Sequence, residues 1–439
     1  MIERADVAIL GGGPAGLAAA AVLARSGRSV VVFEKAGYDA ARAGETFGPE
    51  VRPLLEEIGA WDAFAAIGHV PFRGVASAWG SPALFERPAI LRPLGEGFHV
   101  ERARFDAALA ANAEGAGAIV HRGTGPCALS REGDGFRVDG AFGAPVSARF
   151  LIDASGRGAS ASAAAIRERR WLSFDRLVAI VAHLPAAAEL APELLLEAAE
   201  EGWWYAVPQP GGTLLVALLT DADLVAAGPR AELGARFSAA LARTVHVAAL
   251  AGGAAPLAPP WLVRADSGLS LPDRGANWRV AGDAAFSCDP LGGDGVARAL
   301  RSGMEAARGL DGSAGAAASP LSRLEAYLDR RASYYSAEGR WPDALFWKRR
   351  RAGGWQGEPL VLDPLRQLRG IGIAPDPHAI APAEALLPRS AITAALELLR
   401  DPHPAHEALL ELREAAPVGD RRLLVGLQRL VAGGCIAAL

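Results

Sequence analysis

The sequence predicts an α/β fold in which a βαβ nucleotide-binding domain carries an inserted β-sheet domain and precedes a small helical domain. Three observations support this fold class. A strand, a glycine-rich turn, a helix and a second strand open the chain, extended segments separated by Gly and Pro begin near residue 170, and helical segments follow residue 310. The predicted boundaries are 1–75, 100–165 and 265–310 for the nucleotide-binding domain, 76–99 and 166–264 for the sheet domain, and 311–439 for the helical domain.

Composition restricts the class of protein and its partners. With 439 residues, 51% of them hydrophobic, the chain can bury a large core, and a net charge of −4 without a basic, aromatic-rich cluster argues against nucleic acid. Cys127, Cys288 and Cys435 form no CxxC pair, and His403 and His406, on a stretch that looks helical, lack a third metal ligand. No basic and apolar leader and no apolar run of about 18 residues occurs. We therefore expect a cytoplasmic protein with no disulfide framework, metal or membrane partner.

The N-terminal βαβ unit is the first element. Hydrophobic runs predict buried strands from Asp6 to Leu10 and from Ser29 to Phe33, and the Ala/Leu-rich segment from Leu17 to Arg25 predicts a helix between them. The turn before the helix reads GGGPAG. Strand, glycine-rich turn, helix and strand within about thirty residues are the Rossmann-type context that a dinucleotide fingerprint requires. A glycine-rich turn without a ligand is the alternative that this context disfavours.

The residue types in this unit suit a pyrophosphate and a ribose. Gly11 permits a tight turn, Gly13 lets the backbone approach the phosphates, and Gly16 allows close helix packing. Free N–H groups at the helix N-terminus would face the phosphates, and the Glu34 carboxylate would accept hydrogen bonds from ribose hydroxyls. The cofactor contacts expected in this unit are Gly11, Gly13, Pro14, Ala15, Gly16, Glu34 and Lys35.

Downstream motifs select FAD as the dinucleotide. The segment from Trp278 to Ala285 predicts a strand running into a Gly-Asp turn, and the sequence PLGGDG from residue 290 opens a helix. These segments resemble the GD and P-x-x-G-x-G motifs of the para-hydroxybenzoate hydroxylase-like flavoproteins, as does the turn that ends the hydrophobic run from Leu151 to Gly158. The resemblance implies a Rossmann-type FAD-binding domain in which Asp283 bonds a ribityl hydroxyl and backbone N–H groups lie against the flavin ring. The contacts implied are Gly282, Asp283, Pro290, Gly293 and Gly295.

Two further cofactor candidates lie between these motifs. Gly44-Glu45-Thr46 resembles the G-E-[AST] segment of the halogenase-like branch of these flavoproteins, and Arg102 stands at the start of an R-x-x-[FL]-[DE] motif. Glu45 could shape the flavin pocket, and Arg102 could neutralise a cofactor phosphate or orient nearby loops. The alternatives are that Glu45 is a helix-start acid and that Arg102 forms a salt bridge joining two domains.

The sheet domain supplies the aromatic candidates for a substrate pocket. Extended runs from 176 to 182, 203 to 208 and 213 to 220 predict a sheet over the FAD domain, and residues 75–80 and 90–100 look like further strands of it. Trp79, Trp203, Trp204 and Tyr205 are candidates for stacking on a planar substrate. Packing in the core or between domains is the alternative for each of them.

The run GWWYAVP at residues 202–208 resembles the G-W-x-W-x-I-P signature of flavin-dependent tryptophan halogenases, with Tyr205 and Val207 as departures. Those enzymes also need a lysine amine, in the segment that follows the G-E motif, to handle hypohalous acid. This chain has two lysines, Lys35 and Lys348, and neither lies between Thr46 and Arg102. Arginine is a poor substitute because its delocalised group stays protonated. The sequence therefore favours hydroxylation over halogenation.

The resemblance implies oxygen chemistry at the flavin. Reduced FAD would react with O₂ to give a C4a-hydroperoxyflavin, which transfers its distal oxygen to an electron-rich aromatic substrate while the protein excludes water. A nearby base would assist, and Glu45, His69, His99 and Asp289 are the candidates. Glu45, Trp204 and Tyr205 are the residues expected to form the catalytic pocket. The electron source is either NAD(P)H or reduced flavin from a partner reductase.

A narrower resemblance concerns the substrate. The segments around Glu45, Trp79, Arg102, Trp203 and the long block after Gly282 resemble flavoproteins that mature peptidyl tryptophylquinone cofactors, in which a tryptophan of a partner protein is hydroxylated. A small-molecule aromatic hydroxylase would share nearly all of these motifs. Two other classes stay open: a reductase of the geranylgeranyl reductase type, and a binding protein that has lost FAD, which the intact cofactor motifs disfavour.

The C-terminal part predicts helices rather than chemistry. A small-residue linker at 311–320 precedes a helix from about Leu321, and further helices are expected near 391–400, 406–414 and 421–431. This domain could cap the active site, dock a partner or simply pack against the FAD domain.

Overall fold

The computed structural model describes residues 3–39, 42, 44–88, 94–157, 165–166, 169–186, 193–311, 320–351, 367–370, 380, 383–384, 386–404, 408, 411–412, 418, 420–432 and 435–438. Ala43, Gly158 and most of the helix expected at 406–414 lie outside them. The helices, α1 to α12 in chain order, are Pro14–Arg25, Val51–Glu57, Trp61–Ala65, Arg102–Gly115, Ala222–Ala226, Leu233–Leu241, His246–Ala251, Gly295–Arg308, Pro320–Ser336, Leu345–Arg351, Arg389–Leu398 and Asp420–Ala432.

The strands follow the predicted order. In chain order β1 to β23 are Glu3–Leu10, Val30–Glu34, Thr46–Phe47, Val70–Phe72, Gly74–Ala78, Phe85–Pro88, Gly97–His99, Ile119–Arg122, Ala128–Glu132, Gly135–Asp139, Val146–Asp153, Arg170–Ser173, Leu177–Pro185, Leu194–Ala199, Gly202–Gln209, Thr213–Asp221, Trp261–Arg264, Gly268–Leu271, Trp278–Val280, Phe286–Ser287, Gln367–Gly370, His403–Pro404 and Ile436–Ala438. The α/β fold class and the N-terminal βαβ unit are therefore confirmed.

The first sheet carries the cofactor motifs. Its strands lie in the order β8-β2-β1-β11-β10-β9, and β19 also pairs with β11. Strands β8, β2, β1, β11 and β19 run parallel, so their carboxyl ends share one edge, where ligands bind in open α/β sheets. That edge brings together Gly11, Glu34, Asp153 and Gly282, which follow or end four of these strands.

A close helix pair fixes the position of the glycine-rich turn. Helix α8 packs across α1, and Gly303 meets Ala15 so closely that a Cβ on Gly303 would lie 2.0 Å from the Ala15 carbonyl oxygen. Gly16 is equally constrained, because its Cβ would lie 2.0 Å from the carbonyl oxygen of Gly11. Gly303 thus allows α8 to pack closely on α1, and Gly16 allows α1 to pack closely on the turn that precedes it.

The second sheet has the order β17-β13-β16-β15-β14-β5-β6 in the described residues. Alternate side chains of β15 point to opposite faces. Trp204 packs on Phe237 of α6, with ring centroids 5.2 Å apart, whereas Trp203 and Tyr205 face a cluster that contains Tyr335 of α9 and Leu291 of the PLGGDG loop. The face of the sheet that carries Trp203 and Tyr205 is therefore the one that contacts the PLGGDG loop.

Two sequence expectations differ from the structure in this region and in the C-terminal part. Strand β7, within the segment expected to extend the substrate sheet, instead pairs with β3 and β4 in a small separate sheet. His403 lies on strand β22 rather than on a helix, and β22, β21 and β23 form a three-stranded sheet beside α11 and α12. Hydrophobic periodicity over such short segments does not distinguish these arrangements.

Neither a bilayer span nor a metal cluster is found in the described part of the chain. No helix there is both long and apolar enough to cross a membrane. No group of three His, Cys, Asp or Glu side chains in the same residues is placed to hold a metal ion.

Candidate active site

The glycine-rich turn forms an open cradle at the N-terminus of α1. Gly11 has φ +98°, and a Cβ there would lie 2.4 Å from the carbonyl oxygen of Ala154, so the turn requires glycine. Gly13 is the N-cap of α1 and Pro14 its first residue, and a Cβ on Gly13 would meet nothing within 4 Å. Open space therefore lies beside the N-terminus of α1, where a pyrophosphate would be favoured by the helix dipole.

Glu34 is buried at the end of β2 beside this turn. Its Oε2 accepts a hydrogen bond of 2.8 Å from the Gly12 N–H, and its Oε1 pairs with Arg42 at 3.0 Å. Oε1 also accepts from the Ala36 N–H at 3.2 Å, whereas Oε2 keeps a second lone pair with which Glu34 can accept from a ribose hydroxyl. The side chain of the neighbouring Lys35 is exposed.

Asp283 stands in a one-turn helix after β19. Its carboxylate pairs with Arg157, whose Nε lies 3.0 Å from Oδ2, and more distantly with Arg298 at 3.9 Å. Gly282 has φ +61° and packs against Ala15 of α1, where a Cβ would lie 2.8 Å from the Ala15 Cβ. The Gly-Asp turn is therefore held between the first helix and Arg157, which belongs to the turn after β11 that resembles a turn of the para-hydroxybenzoate hydroxylase-like flavoproteins.

Hydrogen bonds of Asp289 hold the PLGGDG loop in place, and two glycines of the loop border open space. Asp289 accepts a hydrogen bond of 3.0 Å from the Leu291 N–H through Oδ1 and one of 2.6 Å from the Tyr335 hydroxyl through Oδ2. Gly293 has φ +68°, and Cβ atoms on Gly293 and Gly295 would meet nothing within 4 Å. Asp289 thus shapes the loop, which makes it a poor candidate for a catalytic base.

These features fit FAD. Cβ atoms on Gly13, Gly293 and Gly295 would meet nothing within 4 Å, so open space lies beside both glycine-rich turns, and two acids, the buried Glu34 and the partly buried Asp283, end or follow strands of the same sheet. Gly11, Gly13, Pro14, Ala15, Gly16 and Glu34 would hold the adenosine and pyrophosphate end, and Gly282, Asp283, Pro290, Gly293 and Gly295 the ribityl and flavin end.

Glu45 is a buried carboxyl group that is only 3% exposed. Its Oε2 accepts a long hydrogen bond of 3.4 Å from the Tyr205 hydroxyl, and its Oε1 makes no hydrogen bond to the described residues. Burial raises the pKa of Glu45 to about 7, against the opposing effect of the nearby Arg102 cation. Burial also raises the pKa of Tyr205 well above its ordinary value, so Tyr205 stays a neutral donor. Glu45 can therefore exchange a proton near neutral pH.

Arg102, at the start of α4, contacts the loop that carries Glu45. Its guanidinium pairs with Asp106 one turn later, at 3.1 Å between Nη2 and Oδ2, and its Nη1 donates to the Gly44 carbonyl at 3.4 Å. The latter contact supports a loop-orienting role. The pair with Asp106 lies within one helix, so it does not join two domains.

The Tyr205 hydroxyl lies within hydrogen-bonding distance of Glu45, whereas the Trp204 side chain points away from Glu45. Trp204 is fully buried on the opposite face of β15, so the expectation that it lines the same pocket is wrong. His69 is a weak base here. His69 lies against Phe64 with ring centroids 4.1 Å apart, and burial lowers its pKa to about 4, while His99 is buried with Nδ1 at 2.9 Å from the Thr46 hydroxyl.

Comparison with known proteins agrees with this reading of the geometry. The FAD binding domain family model matches residues 4–215. The FAD-dependent oxidoreductase LodB of Marinomonas mediterranea is 28% identical over 371 residues, which cover 80% of this chain and 98% of LodB. Other relatives are flavin-dependent halogenases, of which armH3 of Armillaria mellea is 28% identical over 69% of this chain and 66% of its own length.

Solved structures share the fold. The flavin-dependent halogenase CmlS superposes with a TM-score of 0.71 at 21% identity, covering 99% of this chain and 96% of CmlS. The peptidyl tryptophan dihydroxylase QhpG, which is essential for tryptophylquinone cofactor biogenesis, superposes with a TM-score of 0.64 at 24% identity over 79% of each chain.

Fold and site together define a FAD-dependent oxidoreductase. The two-cradle architecture, the match to the FAD binding domain model and the relatives agree on this class. Within this class, the chain is similar in sequence to LodB and to flavin-dependent halogenases, and it shares its fold with the p-nitrophenol 4-monooxygenase PnpA of Pseudomonas putida.

Proposed function

We propose that this protein hydroxylates an electron-rich, indole-type aromatic substrate, and most specifically the side chain of a tryptophan in a partner protein during quinone cofactor biogenesis. The observation that carries the proposal is Glu45, a buried carboxyl group with a free oxygen beside a sheet face that meets the PLGGDG loop. Bound FAD, once reduced by NAD(P)H or by reduced flavin from a partner reductase, supplies the activation of O₂.

Glu45 is the group that would accept the proton released by the substrate. Hydroxylation of an aromatic ring requires removal of a proton from the ring carbon or from the N–H of an indole. The pKa of about 7 means that a substantial fraction of Glu45 is deprotonated at neutral pH and can accept that proton. Tyr205 donates to the same carboxylate and would hold it in one orientation while water is excluded.

The lysine distribution supports hydroxylation over halogenation. No lysine lies between Thr46 and Arg102, and the two lysines of the chain stand at 35 and 348. A carboxyl group cannot replace the amine that handles hypohalous acid. The similarity to CmlS and to other halogenases nevertheless makes halogenation the second candidate.

The proposal of a protein-bound substrate is supported by one solved structure of the same fold. QhpG, whose fold is shared, is a peptidyl tryptophan dihydroxylase, whereas the similarity to LodB supports only the FAD-dependent oxidoreductase class. A small-molecule aromatic hydroxylase is the alternative within the same chemistry, and a reductase of the geranylgeranyl reductase type uses the same cofactor motifs without O₂.

The test is a single-turnover reaction followed by mass spectrometry. The enzyme is reduced chemically under anaerobic conditions, mixed with a tryptophan-containing partner protein, a matched peptide or free indole compounds, and then exposed to O₂ with chloride present. A gain of about 16 Da on tryptophan, one oxygen atom per reduced flavin, supports the proposal, and a gain of about 32 Da is expected only after a second round of reduction and O₂ addition. A chlorine isotope pattern would establish the halogenase instead, and oxidation of free indoles alone would establish the small-molecule hydroxylase.

Glu45→Gln separates catalysis from binding in the same assay. The amide keeps the size of the side chain but cannot accept a proton, so turnover should fall by about 10²-fold or more while FAD binding is retained. Glu86→Gln, at an exposed position on β6, is the matched control and should react like the unmodified enzyme.

A further inference from the structure

A row of alternating charges links the ribose-binding end of the site to Glu45. Glu34 pairs with Arg42 at 3.0 Å, Arg42 pairs with Asp106 at 3.2 Å, and Asp106 pairs with Arg102 at 3.1 Å. Arg102 in turn exerts its positive charge on Glu45. This row is called the charge ladder below.

Asp106 is the centre of the charge ladder. Its side chain is fully buried on α4 and receives hydrogen bonds from Arg42 through Nη1 and from Arg102 through both Nε and Nη2. A buried carboxylate with two cations keeps both in fixed geometry, because removing it would leave a buried positive charge uncompensated. The R-x-x-[FL]-[DE] motif supplies Arg102 and Asp106 one helical turn apart, whereas Arg42 comes from the loop after β2.

We infer that Asp106 is a positioning residue of the active site, which holds Arg102 and shares Arg42 with Glu34, and through Arg102 sets the charge of Glu45. This inference rests on the proposed role of Glu45 as the proton acceptor. Asp106 itself touches neither Glu45 nor the open cradles in the described contacts, so its effect is electrostatic and geometric rather than catalytic.

Besides Arg102 and Tyr205, the backbone N–H groups of Gly44 and Glu45 lower the pKa of the Glu45 carboxyl group. Among the described residues the polar side chains that act on it are Arg102 of α4 and Tyr205 of β15. His99 of β7 faces the adjacent Thr46. The buried surroundings make electrostatic effects large, because charges at a low effective dielectric constant act over longer distances than in water.

The directions of the effects follow from the signs of the charges. Asp106→Asn removes a negative charge, leaves Arg102 less compensated and should lower the pKa of Glu45 by on the order of one pH unit. Arg42→Gln removes a positive charge from the far side of Asp106 and should raise that pKa by a smaller amount. Arg102→Gln should raise it, and the Asp106→Asn, Arg102→Gln double variant should return toward the unmodified value.

The experiment measures the titration of Glu45 directly in the FAD-loaded enzyme. Infrared spectra are recorded from pH 5 to pH 9 at saturating FAD, and the carboxylic acid band of Glu45 is identified by its absence in Glu45→Gln. Arg52→Gln is the control, because Arg52 forms an exposed pair with Glu56 that lies outside the charge ladder. The pH profile of kcat/KM is measured for the same variants and should move in parallel.

The outcomes distinguish the positioning role of Asp106 from the catalytic role of Glu45. Unshifted titration of Glu45 in both Asp106→Asn and Arg42→Gln would overturn the inference, and shifts of the expected sign with Arg52→Gln unchanged would support it. If the titration shifts but Glu45→Gln keeps full turnover, the charge ladder stands and the catalytic role of Glu45 fails. Should Asp106→Asn not fold, Arg42→Gln decides, because the Arg42 side chain is 24% exposed and loses less on substitution.

Discussion

The burial of Glu45 predicts how the stability of the protein depends on pH. A carboxyl group whose pKa rises on folding binds its proton more tightly in the folded state. Its folded form is therefore favoured at low pH and loses stability as the pH rises from the unfolded pKa to the folded pKa. For Glu45 those values are 4.5 and about 7.

The magnitude follows from the difference between the two values. Each pH unit corresponds to about 1.4 kcal/mol, so ionisation of Glu45 costs the folded state about 3 kcal/mol above pH 7. Glu45→Gln removes the ionisation. Any loss from the buried amide is the same at every pH, whereas the advantage of the variant over the unmodified protein should grow by about 3 kcal/mol between pH 4.5 and pH 8.

Urea denaturation at several pH values, at one fixed FAD concentration, measures this difference. Other titrating groups are common to both proteins and cancel in the comparison. Glu86→Gln, at its exposed site, should show no such trend. A stability difference between Glu45→Gln and the unmodified protein that is constant across the pH range would refute the assignment of Glu45 as a buried, neutral-range acid.

Further predictions concern packing and the two faces of β15. Gly303→Ala should lower the free energy of unfolding by about 1–3 kcal/mol or more, because its Cβ would meet the Ala15 carbonyl, whereas Gly115→Ala, with open space at the Cβ, should be neutral or slightly stabilising in the same denaturation assay. Trp204→Phe should lower the free energy of unfolding by about 1–2 kcal/mol without changing the pH profile of turnover. Tyr205→Phe should move the pH profile of turnover toward higher pH, because the Glu45 carboxylate loses a hydrogen-bond donor. Equal pH profiles for the two variants would contradict the placement of Trp204 and Tyr205 on opposite faces of β15. Arg350→Met leaves the buried Asp221 still paired with Arg349 and should cost about 1.5–3 kcal/mol in denaturant titrations, whereas no measurable cost would show that the Arg350 pair does not stabilise the fold.

The turns and strands of the cofactor site could be predicted from the sequence because residues adjacent in the chain determine their conformation. Three features depend only on a short segment of the chain: the turn at Gly11 to Gly16, the acid at the end of β2 and the Gly-Asp turn at Asp283. In each of them the adjacent residues determine the backbone conformation or the helix terminus. The strands of the sheet domain were likewise visible in hydrophobic runs bounded by Gly and Pro.

The arrangement of those segments was decided only in three dimensions. Trp204 and Tyr205 are adjacent in sequence but occupy opposite faces of β15, and which face meets the cofactor domain depends on sheet register and domain packing. The partners Arg157 and Asp283 are 126 residues apart, and Tyr205 and Glu45 are 160 residues apart. No local pattern encodes contacts at such separations.

The sequence alone therefore determined that this chain has a Rossmann-type FAD-binding unit and a sheet domain, since both rest on local backbone chemistry and periodicity. The tertiary structure decided which polar groups are buried, paired and close to one another. It left Glu45 with one oxygen without a hydrogen bond in the described part, assigned Asp289 to the loop and Trp204 to the core, and joined Glu34 to Arg102 through Asp106. Burial and charge pairing set the chemistry of a carboxyl group, and both are properties of the packed molecule.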